Sequence, residues 1–271
     1  FSNKEKFMKL AISGKGGVGK TTLAALLAQY YADQGMDVLA VDGDPSPCLA
    51  GALGLPAELR AKLSPIAEMD QLIEERTGAK PGTSGGFFTI NPRVDDLPER
   101  FSVTHRNVRM FEMGSVDLGG GGCICPESAM VKTLFTHLLF REDEVLILDM
   151  YAGVEHLGRA TVDFVDAMIV VVEPTQRSLG TAGQIKKLSK DIGLKRLWLV
   201  GNKVRTEEER TFLESNSPGI PLLGTLPMDL GVLDADRLGE PVYDHVPSLK
   251  ESAERIALKL LEPYPDAYLE E

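Results

Sequence analysis

The chain has 271 residues, with 29 Lys and Arg against 40 Asp and Glu, a formal net charge of −11 and 43% hydrophobic residues. This is globular composition, which excludes a disordered or fibrous chain. The acidic balance speaks against nucleic acid or an anionic membrane as partner, because both attract basic surfaces. No apolar run approaches the roughly 18–20 residues of a membrane span. Three Cys argue against a disulfide framework and for a reducing, cytoplasmic setting.

Residues 1–7 are charged and mixed and read as an N-terminal extension or tag before Met8. From there, short apolar runs alternate with longer helical patterns. Strands are predicted over Lys9–Ser13, Asp37–Asp42, Asn107–Glu112, Val145–Asp149, Ala167–Val172, Arg196–Asn202 and Pro221–Leu226. Helices are predicted over Lys20–Gln34, Glu127–Phe140, Glu155–Phe164, Ser178–Ile192, Glu207–Ser215 and near Ser248–Leu261. Strands that are apolar throughout, Ala167–Val172 above all, suit a sheet covered on both faces. The alternation therefore predicts an α/β fold: a mostly parallel, twisted sheet flanked by helices on both faces, with residues 8–271 as one domain. The stretch 77–106, rich in Gly, Pro and Asp, reads as an inserted loop or lid in which Phe87, Phe88, Ile90 and Val94 supply something to bury. The acidic end from Glu262 reads as a surface extension.

The strongest motif is Gly14-Lys15-Gly16-Gly17-Val18-Gly19-Lys20-Thr21-Thr22, two Gly separated by four residues and followed by Lys and Thr, between a predicted strand and a predicted helix. Such glycines let successive backbone N–H groups turn inward around an anion, and the helix N-terminus adds its positive end at the same point. Gly16, Gly17, Val18, Gly19, Lys20, Thr21 and Thr22 are therefore expected to bind the phosphates of ATP or ADP. Lys20 supplies charge to the β- and γ-phosphates, and the Thr21 hydroxyl is placed for Mg²⁺. Asp149, a carboxylate at the tip of an apolar strand, is costly there unless a cation or partner is near. Cys48, alone after Asp44, reads as a small apolar packing residue. His105, His137, His156 and His245 are scattered and read as structural or exposed.

The second motif is Cys123-Ile124-Cys125-Pro126-Glu127, preceded by four Gly. Pro126 suits the first turn of the following helix and Cys125 its N-cap. A helix N-terminus favours thiolate, the metal-binding form. Two Cys cannot complete a tetrahedral thiolate site, but a two-fold dimer could bring four together.

The extra Lys15 makes the loop resemble that of the deviant P-loop ATPases, the class of MinD, ParA, ArsA and the nitrogenase iron protein. With the Cys pair, Val41-Asp42-Gly43-Asp44-Pro45, the stretch Phe87–Asp96 and Glu155-His156-Leu157-Gly158-Arg159, the chain is identified as a member of the CooC family of nickel-insertion ATPases. The resemblance implies several roles. Lys15 reaches across a nucleotide-sandwich homodimer to the partner's phosphates. Asp44 orients or deprotonates the attacking water, Asp42 being structural, and Asp149 holds Mg²⁺ through water. Asn202 and Lys203, with Pro227 and Asp229, sit around the adenine. Cys123 and Cys125 share an intersubunit ion, Ni²⁺ or Zn²⁺. The implied partner is carbon monoxide dehydrogenase or a related nickel enzyme. Service to acetyl-CoA synthase maturation, or electron transfer through an iron–sulfur cluster as in the nitrogenase iron protein, are the alternatives. Two nearly adjacent Cys fit a single ion better than a cluster.

Overall fold

The computed structural model describes residues 8–82, 87–114, 125–141, 144–150 and 165–265. The predicted helix Glu155–Phe164, Tyr151, His156 and Cys123 lie outside them. Eight strands form one sheet: β1 (Lys9–Gly14), β2 (Val38–Gly43), β3 (Val103–His105), β4 (Val108–Glu112), β5 (Val145–Met150), β6 (Ala167–Val172), β7 (Leu197–Val204) and β8 (Leu222–Pro227). Their order is β3-β4-β2-β5-β1-β6-β7-β8. Every neighbouring pair is parallel except β3–β4. The connection after β1 runs to one side, to β2, and that after its neighbour β6 runs to the other, to β7, which opens a crevice at the C-terminal ends of these two strands, where α/β folds bind ligands.

The longer helices are α1 (Lys20–Asp33), α4 (Asp70–Thr77), α6 (Pro126–Phe140), α7 (Gln176–Ile192), α8 (Glu207–Ser215), α9 (Gly231–Leu238) and α11 (Pro247–Leu260). Short turns α2 (Leu49–Ala52), α3 (Ala57–Arg60), α5 (Leu97–Phe101) and α10 (Val242–His245), with a single 3-10 turn at Ile66–Glu68, complete the set among the described residues. Two apolar layers sandwich the sheet. Leu10, Ile12, Ile147, Ile169 and Val171 join α1 and α11 on one face; Ala11, Leu146, Leu148, Met168 and Val170 join α6 and α7 on the other. This alternation explains why β6 reads as an unbroken apolar run: both of its faces are buried. Helix α1 is buried along nearly its whole length, which fixes the end that carries the glycine loop.

Two expectations are corrected. Residues 77–106 are not a plain loop: α5 and the antiparallel β3 fall within them. The β3–β4 connection is made by Arg106 and Asn107, both with positive φ (49° and 62°), the backbone state a tight hairpin turn of primed type requires. Of the apolar residues expected to bury there, Val94 does, whereas Phe87 and Ile90 face solvent.

Candidate nucleotide site

Strand β1 delivers the chain into the loop, and each bend has a steric cause. At Gly14 φ is 143°, and a Cβ would stand 2.4 Å from the Val171 carbonyl oxygen of β6. At Gly19 φ is 97°, and a Cβ would stand 2.0 Å from Asn202 Nδ2. Gly17 has φ 80°. These positions accept Gly because an L side chain would be strained or would collide. Lys15, Gly16 and Gly17 are exposed, whereas Lys20 is buried and turns back so that Nζ donates to the Lys15 carbonyl at 3.4 Å. The loop thus presents one free-standing cation, Lys15, and one enclosed one.

The carboxylates gather at the ends of β2 and β5, which pair in register at Asp42 and Asp149. Asp149 is 1% exposed, and burial pushes its carboxyl up to about 7; the Thr21 hydroxyl bonded to it pulls the other way, and nearby Asp42 raises it further. Its Oδ2 is buried with no partner among the described residues. An orphaned buried carboxylate oxygen beside a hydroxyl and Lys20 is a hard-oxygen donor set suited to Mg²⁺, so the residues fit the ion the phosphate loop implies. Asp42 is fully buried and holds the turn after β2: Oδ1 accepts from the Asp44 N–H at 3.1 Å, and Oδ2 from the Cys48 and Leu49 N–H groups at 2.9 Å each. Its main-chain oxygen accepts from Met113 N at 2.8 Å, where β4 ends. Burial raises its carboxyl despite these bonds. Asp44 is half-buried at the mouth and accepts from Ser46 N at 2.9 Å.

Cys48 departs from the apolar packing expected of it. It is exposed, its Sγ points to the Ser46 carbonyl at 3.2 Å, and desolvation together with Asp42, Asp44, Asp149 and Asp236 keeps its thiol protonated. The turn is secured by Asp42 and not by a buried sulfur.

Asn202 is buried at the end of β7, with Nδ2 donating to the Val18 carbonyl at 2.7 Å and Oδ1 accepting from Lys203 N at 2.8 Å. Lys203, at φ 60°, donates to the Gly17 carbonyl at 2.8 Å and pairs with Glu173 at 2.5 Å. Pro227 ends β8. Asp229 accepts from Gly231 N at 2.9 Å and the Ser248 hydroxyl at 2.7 Å, and these bonds hold its carboxyl below the usual range. The sequence reading singled out Asn202 and Lys203 but not Glu173, which lies 30 positions upstream of Lys203 and carries no motif of its own.

Cys125 is the extended N-cap of α6, with Pro126 first in the helix, and is 8% exposed. Glu127 in the first turn accepts from Gly82 N at 3.3 Å, tying this end to the inserted stretch. Among the described residues no group of three or more His, Cys, Asp or Glu is arranged to hold a metal ion.

Residues 9–242 match the family model of the CobQ/CobB/MinD/ParA nucleotide binding domain. The chain is 43% identical over 255 residues to the carbon monoxide dehydrogenase accessory protein CooC of Rhodospirillum rubrum, covering 94% of this chain and 97% of that one. It is 45% identical over 237 residues to an uncharacterized ATP-binding protein of Methanocaldococcus jannaschii, covering 87% and 91%. In structure it resembles the MinD cell division protein of Aquifex aeolicus, with a TM-score of 0.66 at 20% identity over 95% of this chain and 98% of that one. It also resembles MinD of Pyrococcus horikoshii complexed with Mg-ADP, with a TM-score of 0.64 at 21% identity over 94% and 96%. The chain belongs to the CooC family within the CobQ/CobB/MinD/ParA nucleotide-binding class, and it is an ATPase.

Proposed function

We propose that the protein is an ATP-driven metal chaperone that assists maturation of carbon monoxide dehydrogenase by nickel insertion. Supporting this reading, one chain carries both an exposed Lys15 in its phosphate loop and a cysteine pair leading into α6. Two copies meet over bound nucleotide, each Lys15 reaching the other's phosphates. Cys123 and Cys125 of both copies then hold one ion, Ni²⁺ or Zn²⁺, as cargo. Thr21 and Asp149 hold Mg²⁺, which when bound neutralises phosphate charge. Lys20 and the loop N–H groups bind the phosphates, and Asp44 positions the attacking water. Asn202 and Lys203 flank the adenine, with Pro227 and Asp229 beside it. Because hydrolysis changes what the dimer holds, it shifts the dimer–monomer balance and frees the metal; a ligand moves such a balance only by its preference for one state.

The experiment is metal analysis combined with mass measurement, with ATP or ADP, on wild type and Cys125→Ala. Wild type is expected to form a dimer carrying one metal per two chains, and Cys125→Ala to bind ATP without stoichiometric metal. Unchanged nickel or zinc content in the variant removes the metal reading, and a wild type that stays monomeric under every condition removes the shared site.

A further inference from the structure

Two consecutive peptides of the phosphate loop are gripped from outside by two consecutive residues of β7. Asn202 Nδ2 takes the Val18 carbonyl at 2.7 Å, and Lys203 Nζ takes the Gly17 carbonyl at 2.8 Å. A trans peptide is planar, with its C=O and N–H pointing in opposite directions. Turning the Gly17 and Val18 carbonyls toward β7 therefore turns the N–H groups of Val18 and Gly19 away from it, across the loop; there the Val18 N–H meets the Lys15 carbonyl at 3.5 Å, a long bond that a phosphate entering the loop would replace. The positive φ of Gly17 and Gly19, 80° and 97°, permits this orientation.

The grip is itself set. Lys203 N donates to Asn202 Oδ1 at 2.8 Å, which locks the two residues together, and Lys203 has φ 60°, an uncommon backbone state for a Lys. Its ammonium sits between the Gly17 carbonyl and Glu173 Oε1, 2.5 Å away at the end of β6. The Glu173 N–H in turn donates to Ser178 Oγ at 3.1 Å, so the carboxylate stands on a fixed backbone. Glu173 and Lys203 side chains are 33% and 40% exposed. A pair this wet adds little to folding stability. What it decides is where a long, flexible cation rests: on the loop carbonyl, or out in solvent or on a phosphate.

We propose that Glu173 is a positioning residue for nucleotide binding, acting through Lys203 on the Gly17 carbonyl to aim the Val18 and Gly19 amides at the phosphates. The test is isothermal titration of the full chain with ADP and Mg²⁺, using wild type, Glu173→Gln, Lys203→Met and the double variant, with thermal unfolding and ATPase kinetics alongside. Glu173→Gln is expected to weaken ADP binding about fivefold, the scale of one exposed charge pair. Its KM for ATP should rise in step while kcat stays within about twofold, since the amides serve ground and transition state alike. In the Lys203→Met background the same change should add less than about twofold, because the residue it acts through is gone. The unfolding midpoint should stay within about 2 °C of wild type. Wild-type affinity in Glu173→Gln would overturn the proposal. So would full additivity in the double variant, or a fall in stability that tracks the loss of affinity. A Glu173→Gln chain that fails to fold would assign the residue to the sheet and overturn it equally.

Discussion

The buried carboxylate of Asp149 makes a quantitative prediction about the nucleotide-free protein. In the unfolded chain its carboxyl ionises near 3.8; in the folded protein burial moves that to about 7. The folded state therefore holds more protons than the unfolded state between these values, and stability falls as pH rises through the window and levels off above about 7. Each pH step of one across it costs about 1.4 kcal/mol, so the full penalty approaches ~4 kcal/mol, with relaxation and water entry bringing it toward ~2. Asp149→Asn keeps an oxygen for the Thr21 hydroxyl and carries no charge. In urea unfolding with EDTA and no nucleotide, it should be more stable than wild type, by a margin that widens by up to about 1.4 kcal/mol per pH step from 5 to 7 and is then constant. Glu112, also raised by burial, is common to both proteins and cancels in the difference, whereas Asp42 is coupled to Asp149 and its response is part of the margin measured. With Mg²⁺ and ATP the order should narrow or reverse if Asp149 holds the metal, as the proposed function has it. Parallel stability curves for the two proteins from pH 5 to 8 would refute the argument.

Gly14→Ala should destabilise by about 2–4 kcal/mol, because the new Cβ meets the Val171 main-chain oxygen at 2.4 Å and backbone cannot swing aside. Gly16→Ala meets nothing within 4 Å, and its stability should stay within about 0.5 kcal/mol of wild type; urea melts of the pair check both. Lys15→Ala should bind ADP like wild type yet remain monomeric by light scattering with ATP, since the side chain is exposed in the single protomer; a dimer in that variant would remove the cross-subunit role.

The central strands were legible because both of their faces are buried, which leaves an unmistakable apolar run in Ala167–Val172. The phosphate loop was legible because its glycines answer to local geometry at Gly14, Gly17 and Gly19. The β3–β4 hairpin was not, since its left-handed turn is made by Arg106 and Asn107 with no Gly to announce it. Nor was the exposure of Cys48: its sulfur is small enough to read as core, and what holds its turn is Asp42, six positions earlier. Phe87 and Ile90 show the opposite failure, apolar residues for which nothing in the described chain provides a cover. Glu173 was illegible for a topological reason, its partner standing on the adjacent strand where only the β6–β7 pairing brings them together.

Asp42 gives the molecule a mechanical junction. Its carboxylate gathers the N–H groups of Asp44, Cys48 and Leu49, while its main-chain oxygen holds Met113, two residues from the segment that leads into the cysteines. The turn after β2 and the end of β4 thus share one residue, packed without exposure in the sheet. Under the function proposed above, this makes Asp42 the residue through which a change at the nucleotide would reach the chain that runs on toward the cysteines.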